Sequence, residues 1–209
     1  RSGEAVAEFR TALSLKPAFP QAQNSLGNAL LRRGRRAEAI GLYRAALALD
    51  PGFPEAHCNL GIALAGAGQP AEAAQEFERA IALRPDYFEP RYNLGLALED
   101  LGRNDEAITR YEQARALKPE HAGVRYNLGN ALAQAGKAEE AVAEYRESLR
   151  LDPNFPDAHN NLGVALAGLG REAEAAAQFE AALRLKPDYA DARSNLAKLR
   201  PAGKGAAPP

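Results

Sequence analysis

Residues 54–87 read PEAHCNLGIALAGAGQPAEAAQEFERAIALRPDY, and this stretch contains the pattern from which the whole chain is built. Its tripeptide Asn59-Leu60-Gly61 returns at a step of 34 residues. The copies are Asn93-Leu94-Gly95, Asn127-Leu128-Gly129 and Asn161-Leu162-Gly163, with Ser25-Leu26-Gly27 one step before and Asn195-Leu196-Ala197 one step after. A fixed step of this length is typical of stacked supersecondary units rather than of one globular core. Positions 1 to 34 of each repeat are therefore counted from Pro54 and its equivalents.

Each repeat is predicted to contain two amphipathic helices. Apolar residues recur at three- and four-residue spacing twice in the stretch, first from Ala56 to Leu64 and again from Ala73 to Ile81. Gly68 lies between them, where a left-handed residue suits the end of a helix. Pro85 closes the second helix because proline has no N–H to donate. The pattern thus predicts one antiparallel helix pair in each repeat.

The 34-residue frame divides the chain into one half repeat, five full repeats and one capping helix, which makes twelve helices. The half repeat is 3–19, the full repeats are 20–53, 54–87, 88–121, 122–155 and 156–189, and the lone helix is 190–200. These form a single predicted domain, and residues 201–209 are expected to be a disordered tail because they lack apolar periodicity. The chain begins within a repeat and has no Met, so we expect it to be part of a longer protein.

The composition of the chain limits the kinds of partner and the cellular compartment that we expect. The 26 basic and 27 acidic residues are interspersed, so no basic footprint for nucleic acid is visible. No apolar run approaches the roughly 20 residues that span a bilayer, and we expect no membrane insertion. Cys58 is the only cysteine, which excludes an intrachain disulfide and favours a reducing, cytoplasmic location.

The residue types that carry chemistry do not form a recognisable active site. His57 and Cys58 are adjacent, but neighbours on a helix point about 100° apart and cannot form a nucleophile–base hydrogen bond. The three histidines fall in separate repeats, without the spacing of a metal site. We therefore predict no catalytic residue, no metal, no cofactor and no enzymatic activity.

The repeat resembles the tetratricopeptide repeat, whose signature W-x2-L-G-x2-Y, A-x3-F, P is matched by Leu60, Gly61, Ala73, Phe77 and Pro85. His57, Arg91, Arg125 and His159 stand in place of the tryptophan, and Leu30, Leu64, Leu98, Leu132 and Leu166 in place of the tyrosine. The resemblance implies an all-α, right-handed superhelical solenoid of antiparallel helix pairs. It also implies a concave groove, lined by the first helices, that binds a protein or peptide.

Helical geometry places positions 2, 5, 6 and 9 of each first helix on the side away from Leu60 and Leu64. The candidate peptide-binding residues at these positions are Asn59, Asn93, Asn127, Asn161, Asn195, Tyr92, Tyr126, Asn130, Asn160, Glu55 and Glu89. Glu99 and Asp100 are added because, with Tyr92, Tyr126 and Glu89, they form a predicted aromatic and acidic patch that would favour a basic or mixed ligand. A carboxamide offers donors and acceptors, so a ladder of asparagines can hold an extended backbone of any sequence. Such asparagines would be solvated in the free protein. The alternative is that they bridge neighbouring helices.

Three functions remain open at this point. The first is a non-enzymatic scaffold for an extended protein or peptide segment. The ladder also resembles the repeat arm of O-linked N-acetylglucosamine transferases, which implies a substrate-recruiting arm whose catalytic domain lies outside this chain. The third is self-association through the open N-terminal half repeat, where the faces around Ala5, Phe9 and Ala12 have no first helix to pack on.

Overall fold

The computed structural model describes residues 2–16 and 18–199, and for residues 2–6, 10 and 12 it describes the backbone alone. The expected tail at 201–209 lies outside the described residues. Within the described part, the chain contains twelve helices and no strand. They are α1 Ser2–Leu15, α2 Pro20–Leu31, α3 Arg36–Leu49, α4 Pro54–Ala65, α5 Pro70–Leu83, α6 Phe88–Asp100, α7 Asn104–Leu117, α8 Ala122–Gln134, α9 Ala138–Leu151, α10 Pro156–Gly168, α11 Glu172–Leu185 and α12 Ala190–Leu199. The prediction of an all-α helical repeat is confirmed.

The chain divides after Leu117 into two compact units. In the first unit each helix from α1 to α6 packs against the next, and the first helices α2, α4 and α6 also touch in succession. In the second unit α8 to α12 pack in the same order, with α8, α10 and α12 in succession. Each unit is thus built from helix pairs that contact their sequence neighbours. The right-handed superhelical sense stays a prediction.

Glycine ends the first helix of every full repeat, as predicted. Gly68 has φ +76°, a left-handed conformation that residues with a Cβ rarely adopt. The next residue, Gln69, then donates its N–H to Leu64 O over 3.0 Å, which satisfies a carbonyl at the end of α4. Gly34, Gly102, Gly136 and Gly170 repeat the same positive φ. The sequence Gly–X between the helices therefore fixes where the second helix starts.

The first and second helices of each pair meet at a glycine and an aromatic ring. A Cβ added to Gly61 of α4 would lie 2.5 Å from Cε1 of Phe77 on α5, a distance that real side chains do not tolerate. Both residues are buried, and Phe77 has no exposed surface. The same pairing joins position 8 to position 24 in the other full repeats: Gly27 with Tyr43, Gly95 with Tyr111, Gly129 with Tyr145 and Gly163 with Phe179. Position 8 must stay glycine for the ring to seat.

Helix α1 corresponds to the second helix of a repeat, and it packs against α2. Phe9 is half-buried, and Leu15 at its end is 82% exposed. The side chains of Ala5 and Ala12 lie outside the described residues. Self-association through this end therefore stays a prediction.

Gly61→Ala should overpack the α4–α5 crossing and lower the free energy of unfolding by about 1–3 kcal/mol. Gly41→Ala is the matched control, because Gly41 is also inside a helix, α3, and an added Cβ there meets no atom within 4 Å. The control should gain up to about 1 kcal/mol from helix propensity alone. Urea unfolding followed by circular dichroism measures both changes, and a gain in stability for Gly61→Ala would contradict the proposed crossing.

Candidate functional site

Asparagines at position 6 connect successive first helices inside each unit. In three cases the amide Nδ2 donates to the side chain at position 5 of the preceding repeat, 35 residues earlier. The pairs are Asn59 to Asn24 Oδ1 (2.9 Å), Asn161 to the Tyr126 hydroxyl (3.1 Å) and Asn195 to Asn160 Oδ1 (3.1 Å). All six side chains are half-buried or buried. The ladder therefore ties neighbouring repeats together, the bridging role that the sequence left open.

Asn93 does not follow this rule. Its Nδ2 donates to Glu89 O in its own helix over 2.9 Å. Position 5 of the preceding repeat is Cys58, whose sulfur is a weak acceptor and already shares a hydrogen bond with the Tyr87 hydroxyl. Burial raises the pKa of Cys58 to about 11, so its thiol stays protonated and unreactive. The hydrogen bond of the Asn93 amide thus stays within one helix and does not join two helices.

Position 9 of the first helix is matched to position 24 of the second. The hydroxyl groups of Tyr43 and Tyr145 pass across the pair and donate to Asn28 and Asn130, each over 2.7 Å. Where position 24 is phenylalanine, which has no hydroxyl, position 9 is apolar: Phe77 with Ile62, and Phe179 with Val164. Asn130 is therefore first of all the partner of a buried tyrosine. The pairing of residue types was present in the sequence, and reading positions 9 and 24 together would have found it.

Tyr111 combines a tyrosine at position 24 with Leu96 at position 9, which cannot accept a hydrogen bond. Its hydroxyl donates instead to Glu99, one position short of the end of α6. Burial raises the pKa of Glu99; the hydrogen bond from Tyr111 lowers it, and the charge of Asp100 raises it again. Burial, and then the bond to Glu99, raises the pKa of Tyr111 far above its usual range. Glu99 is thus a half-buried carboxylate held in place by a tyrosine.

The second unit contains a continuous network of amides. Asn195 donates to Asn160, Asn160 donates to Asn161 Oδ1 over 3.1 Å, and Asn161 donates to Asn130 Oδ1 over 2.9 Å. Five of the predicted residues are brought together here: Tyr126, Asn130, Asn160, Asn161 and Asn195. The expectation that the ladder is solvated is wrong for this unit, because Asn160 is only 6% exposed and Asn161 is half-buried. Asn127, on α8, is half-buried as well.

Four more predicted residues lie on α4 and α6 of the first unit: Glu55, Glu89, Tyr92 and Asp100. Glu55 forms an ion pair with Arg84, whose guanidinium lies 4.7 Å from the centre of the Tyr87 ring. Tyr92 is half-buried and stacks on Phe88 with ring centres 6.0 Å apart. Glu89 and Asp100 are exposed at the two ends of α6. In the second unit, Tyr126 lies 4.6 Å from the ring of Phe155.

Sequence reasoning missed the role of position 4, where histidine or arginine replaces the tryptophan of the signature. His57 has Nδ1 2.6 Å from Glu76 Oε2 and Nε2 3.0 Å from Pro51 O, so its ring joins α5 to the turn before α4. Arg125 and His159 repeat this arrangement: Arg125 with Glu144 (3.1 Å) and Pro119 O (3.1 Å), His159 with Gln178 (2.8 Å) and Pro153 O (3.1 Å). In these three repeats, position 4 thus connects the helix pair to the proline that ends the preceding repeat. Both nitrogens of His57 face these groups rather than Cys58.

A cleft of about 590 Å³ lies beside His57 and Glu76 in the first unit. Its walls are the apolar residues Leu47, Ala48, Pro51, Leu60, Ala82 and Leu83 and the polar residues Arg44, His57, Glu76 and Arg79.

Among the described residues, no three His, Cys, Asp or Glu side chains are grouped to hold a metal ion. None of the described helices is both long enough and apolar enough to cross a bilayer.

Asn161→Ala should lower the free energy of unfolding by about 1–3 kcal/mol, because it leaves Tyr126 and Asn130 without their amide donor. Asn93→Ala is the matched control, since it removes only a bond within one helix, and should stay within about 0.5 kcal/mol of wild type. Urea unfolding of both variants measures the difference. Equal losses would show that the inter-repeat tie contributes nothing.

Glu99→Gln should change how stability depends on pH. The folded-state pKa of Glu99 is raised, so the folded protein binds this proton more tightly than the unfolded chain does, and wild-type stability gains as the pH falls through that pKa. The variant has no charge to bury and keeps an acceptor for Tyr111. It should therefore melt at a higher temperature than wild type at pH 7, and the difference should shrink toward about pH 4. A constant difference across this range would contradict the assignment.

The comparisons with known proteins agree with this geometry. Models of the tetratricopeptide repeat match residues 1–54, 27–88, 58–122 and 156–189, and a TPR repeat model matches 129–170. No curated protein sequence matches the chain significantly. The resemblance to the arm of O-linked N-acetylglucosamine transferases stays a prediction.

Solved structures give the same fold. YrrB, a TPR protein with an unusual peptide-binding site, superposes with a TM-score of 0.79 at 24% identity, over 89% of this chain and 96% of its own. MamA superposes with a TM-score of 0.75 at 27% identity, over 78% and 95% of the two chains. MamA from Desulfovibrio magneticus RS-1, from residue 41 to its end, gives 0.76 at 25% identity, over 82% and 97%. Since the repeat models match more than half of its length, the chain belongs to the tetratricopeptide repeat family.

Proposed function

We propose that this chain is a non-enzymatic scaffold whose first helices bind an extended polypeptide segment. The observation that carries the proposal is a pair of exposed apolar side chains at position 9. Ile62 is 40% exposed and Val164 49% exposed, each on the helix face that carries the asparagines. One exposed apolar residue needs no explanation. An apolar contact beside several oriented amides is the composition of a peptide-binding surface.

The amides retain hydrogen-bonding capacity after they have tied the repeats together. Asn59 and Asn195 each use one of two N–H groups, and within the described part of the chain their Oδ1 atoms accept no hydrogen bond. A peptide backbone offers one donor and one acceptor per residue, which these groups can pair with. The inter-repeat bonds also hold the amides in fixed orientations, so less entropy is lost when a ligand binds. Structural and binding roles are therefore compatible.

The acidic side chains of α6 favour a basic or mixed ligand. Glu89 and Asp100 are exposed on α6, and the half-buried Glu99 lies between them along the same helix. The carboxylate of Glu55 is neutralised by Arg84 and adds little to this charge. Complementary charge mainly speeds encounter and excludes wrong partners. Tyr92, on the same helix and stacked on Phe88, adds an aromatic ring.

The absence of catalysis is part of the proposal. Cys58 and His57 are the candidate nucleophile and base that the sequence offers. Burial, however, raises the pKa of Cys58 to about 11. The His57 ring is committed to Glu76 and Pro51. A thiol that stays protonated and a ring that faces elsewhere make no nucleophile–base pair. The peptide-binding site of YrrB and the interaction role usual for this fold point in the same direction.

Peptides selected on the immobilised chain from a random linear library provide the test. The double variant Ile62→Ser, Val164→Ser should weaken their binding about tenfold or more, because buried apolar contact is lost. Leu185→Ser is the matched control, since Leu185 is 39% exposed at the end of a second helix, α11. Fluorescence anisotropy measures both. If the double variant binds as well as wild type, or the control loses as much, the proposed faces are not the binding surface.

A further inference from the structure

Positions 4 and 23 face one another across each helix pair, and most repeats fill them with a matched polar pair. His57 meets Glu76 with both side chains nearly enclosed, and Arg125 meets Glu144, with side-chain exposures of 16% and 12%. His159 meets Gln178 over 2.8 Å. In two of these repeats, position 23 thus places a carboxylate against the cationic or basic group at position 4.

The repeat at 88–121 breaks this rule, because it carries Arg91 at position 4 and Arg110 at position 23. Both side chains are half-buried. Burial, and then the positive charge of Arg110, lowers the pKa of Arg91, so the two guanidinium groups are close enough to repel. Arg91 donates to Tyr87 O over 3.2 Å, and Arg110 has only a long contact, 3.4 Å, with Gln113. The Nε of Arg110 is buried and has no hydrogen-bond partner among the described residues.

Two acids, Asp86 and Glu106, act on this pair electrostatically, but neither forms a hydrogen bond with it in the described part of the chain. The negative charge of Asp86 raises the pKa of Arg91. This effect is smaller than the lowering of the pKa by burial and by the charge of Arg110. Glu106 lies within range of the Arg110 charge but accepts two hydrogen bonds from Arg103, each 2.7 Å long. A half-buried pair of cations with an unused N–H is unfavourable in the free protein. It is a suitable receptor for an anion with two oxygen atoms.

We propose that Arg91 and Arg110 bind a carboxylate side chain from an acidic segment of a partner polypeptide. We choose a carboxylate because two other repeats have one at position 23: Glu76 pairs with His57, and Glu144 pairs with Arg125. The partner's carboxylate would occupy the corresponding place between positions 4 and 23. These positions are distinct from positions 2, 5, 6 and 9 of the first helices, so the proposal does not depend on the function proposed above.

A hexaglutamate peptide carrying fluorescein is the probe, titrated at low salt with anisotropy as the readout. Arg110→Glu supplies an internal carboxylate, as in the Arg125–Glu144 pair, and should weaken peptide binding about tenfold or more. It should also raise the melting temperature without ligand, because the repulsion becomes an ion pair. Arg110→Gln copies the neutral partner in the His159–Gln178 pair and should also lose binding if the first variant does not fold.

Arg33→Glu is the charge-matched control, because Arg33 is exposed in the turn after α2 and undergoes the same change in charge. It should change affinity less than about twofold. Glutarate and inorganic phosphate are the competitors, and displacement at a lower concentration of glutarate supports a carboxylate site. Wild-type affinity in Arg110→Glu, an equal loss in Arg33→Glu, or tighter competition by phosphate would each overturn the proposal.

Discussion

The contact between an aromatic ring at position 24 and the bare Cα of a glycine at position 8 is the interaction on which each repeat depends. Phe77 seats on Gly61 and Tyr145 on Gly129 with no room for a methyl group between them. Because the two helices of a pair approach this closely, apolar side chains such as Leu60 and Leu64 are almost fully enclosed around the crossing. Because of this close approach, the far end of the ring reaches the side chain at position 9 of the first helix.

That approach has a chemical consequence where the ring is tyrosine. A buried hydroxyl needs a partner, and the first helix supplies one: Asn28 for Tyr43, Asn130 for Tyr145 and Glu99 for Tyr111. A tyrosine at position 24 therefore requires a polar side chain on the first helix to accept its hydrogen bond. Phe77 and Phe179 have no such requirement, and the residues at position 9 of their repeats are the apolar Ile62 and Val164.

Polar side chains then join one repeat to the next at two levels. Asparagines at position 6, such as Asn59 and Asn195, tie first helices to one another. His57, Arg125 and His159 at position 4 tie their helix pairs to the carbonyl of the preceding proline. Solenoid stability depends on such nearest-neighbour terms as much as on the single repeat. A repeat that departs from either pattern, as Asn93 and the Arg91–Arg110 pair do, has groups available for something other than folding.

The sequence by itself determined the fold class, because a 34-residue step with glycine and proline at fixed places admits one local arrangement of helices. It also determined which face of the first helix carries the asparagines, since 100° per residue is enough to place a side chain on a helix. Tertiary structure decided what those side chains do. Asn161 donates to the Tyr126 hydroxyl from 35 residues away, and His57 pairs with Glu76 on a different helix, contacts that no local period encodes. The position of a residue on its helix follows from its neighbours in the chain, whereas its hydrogen-bond partner depends on how two helices pack.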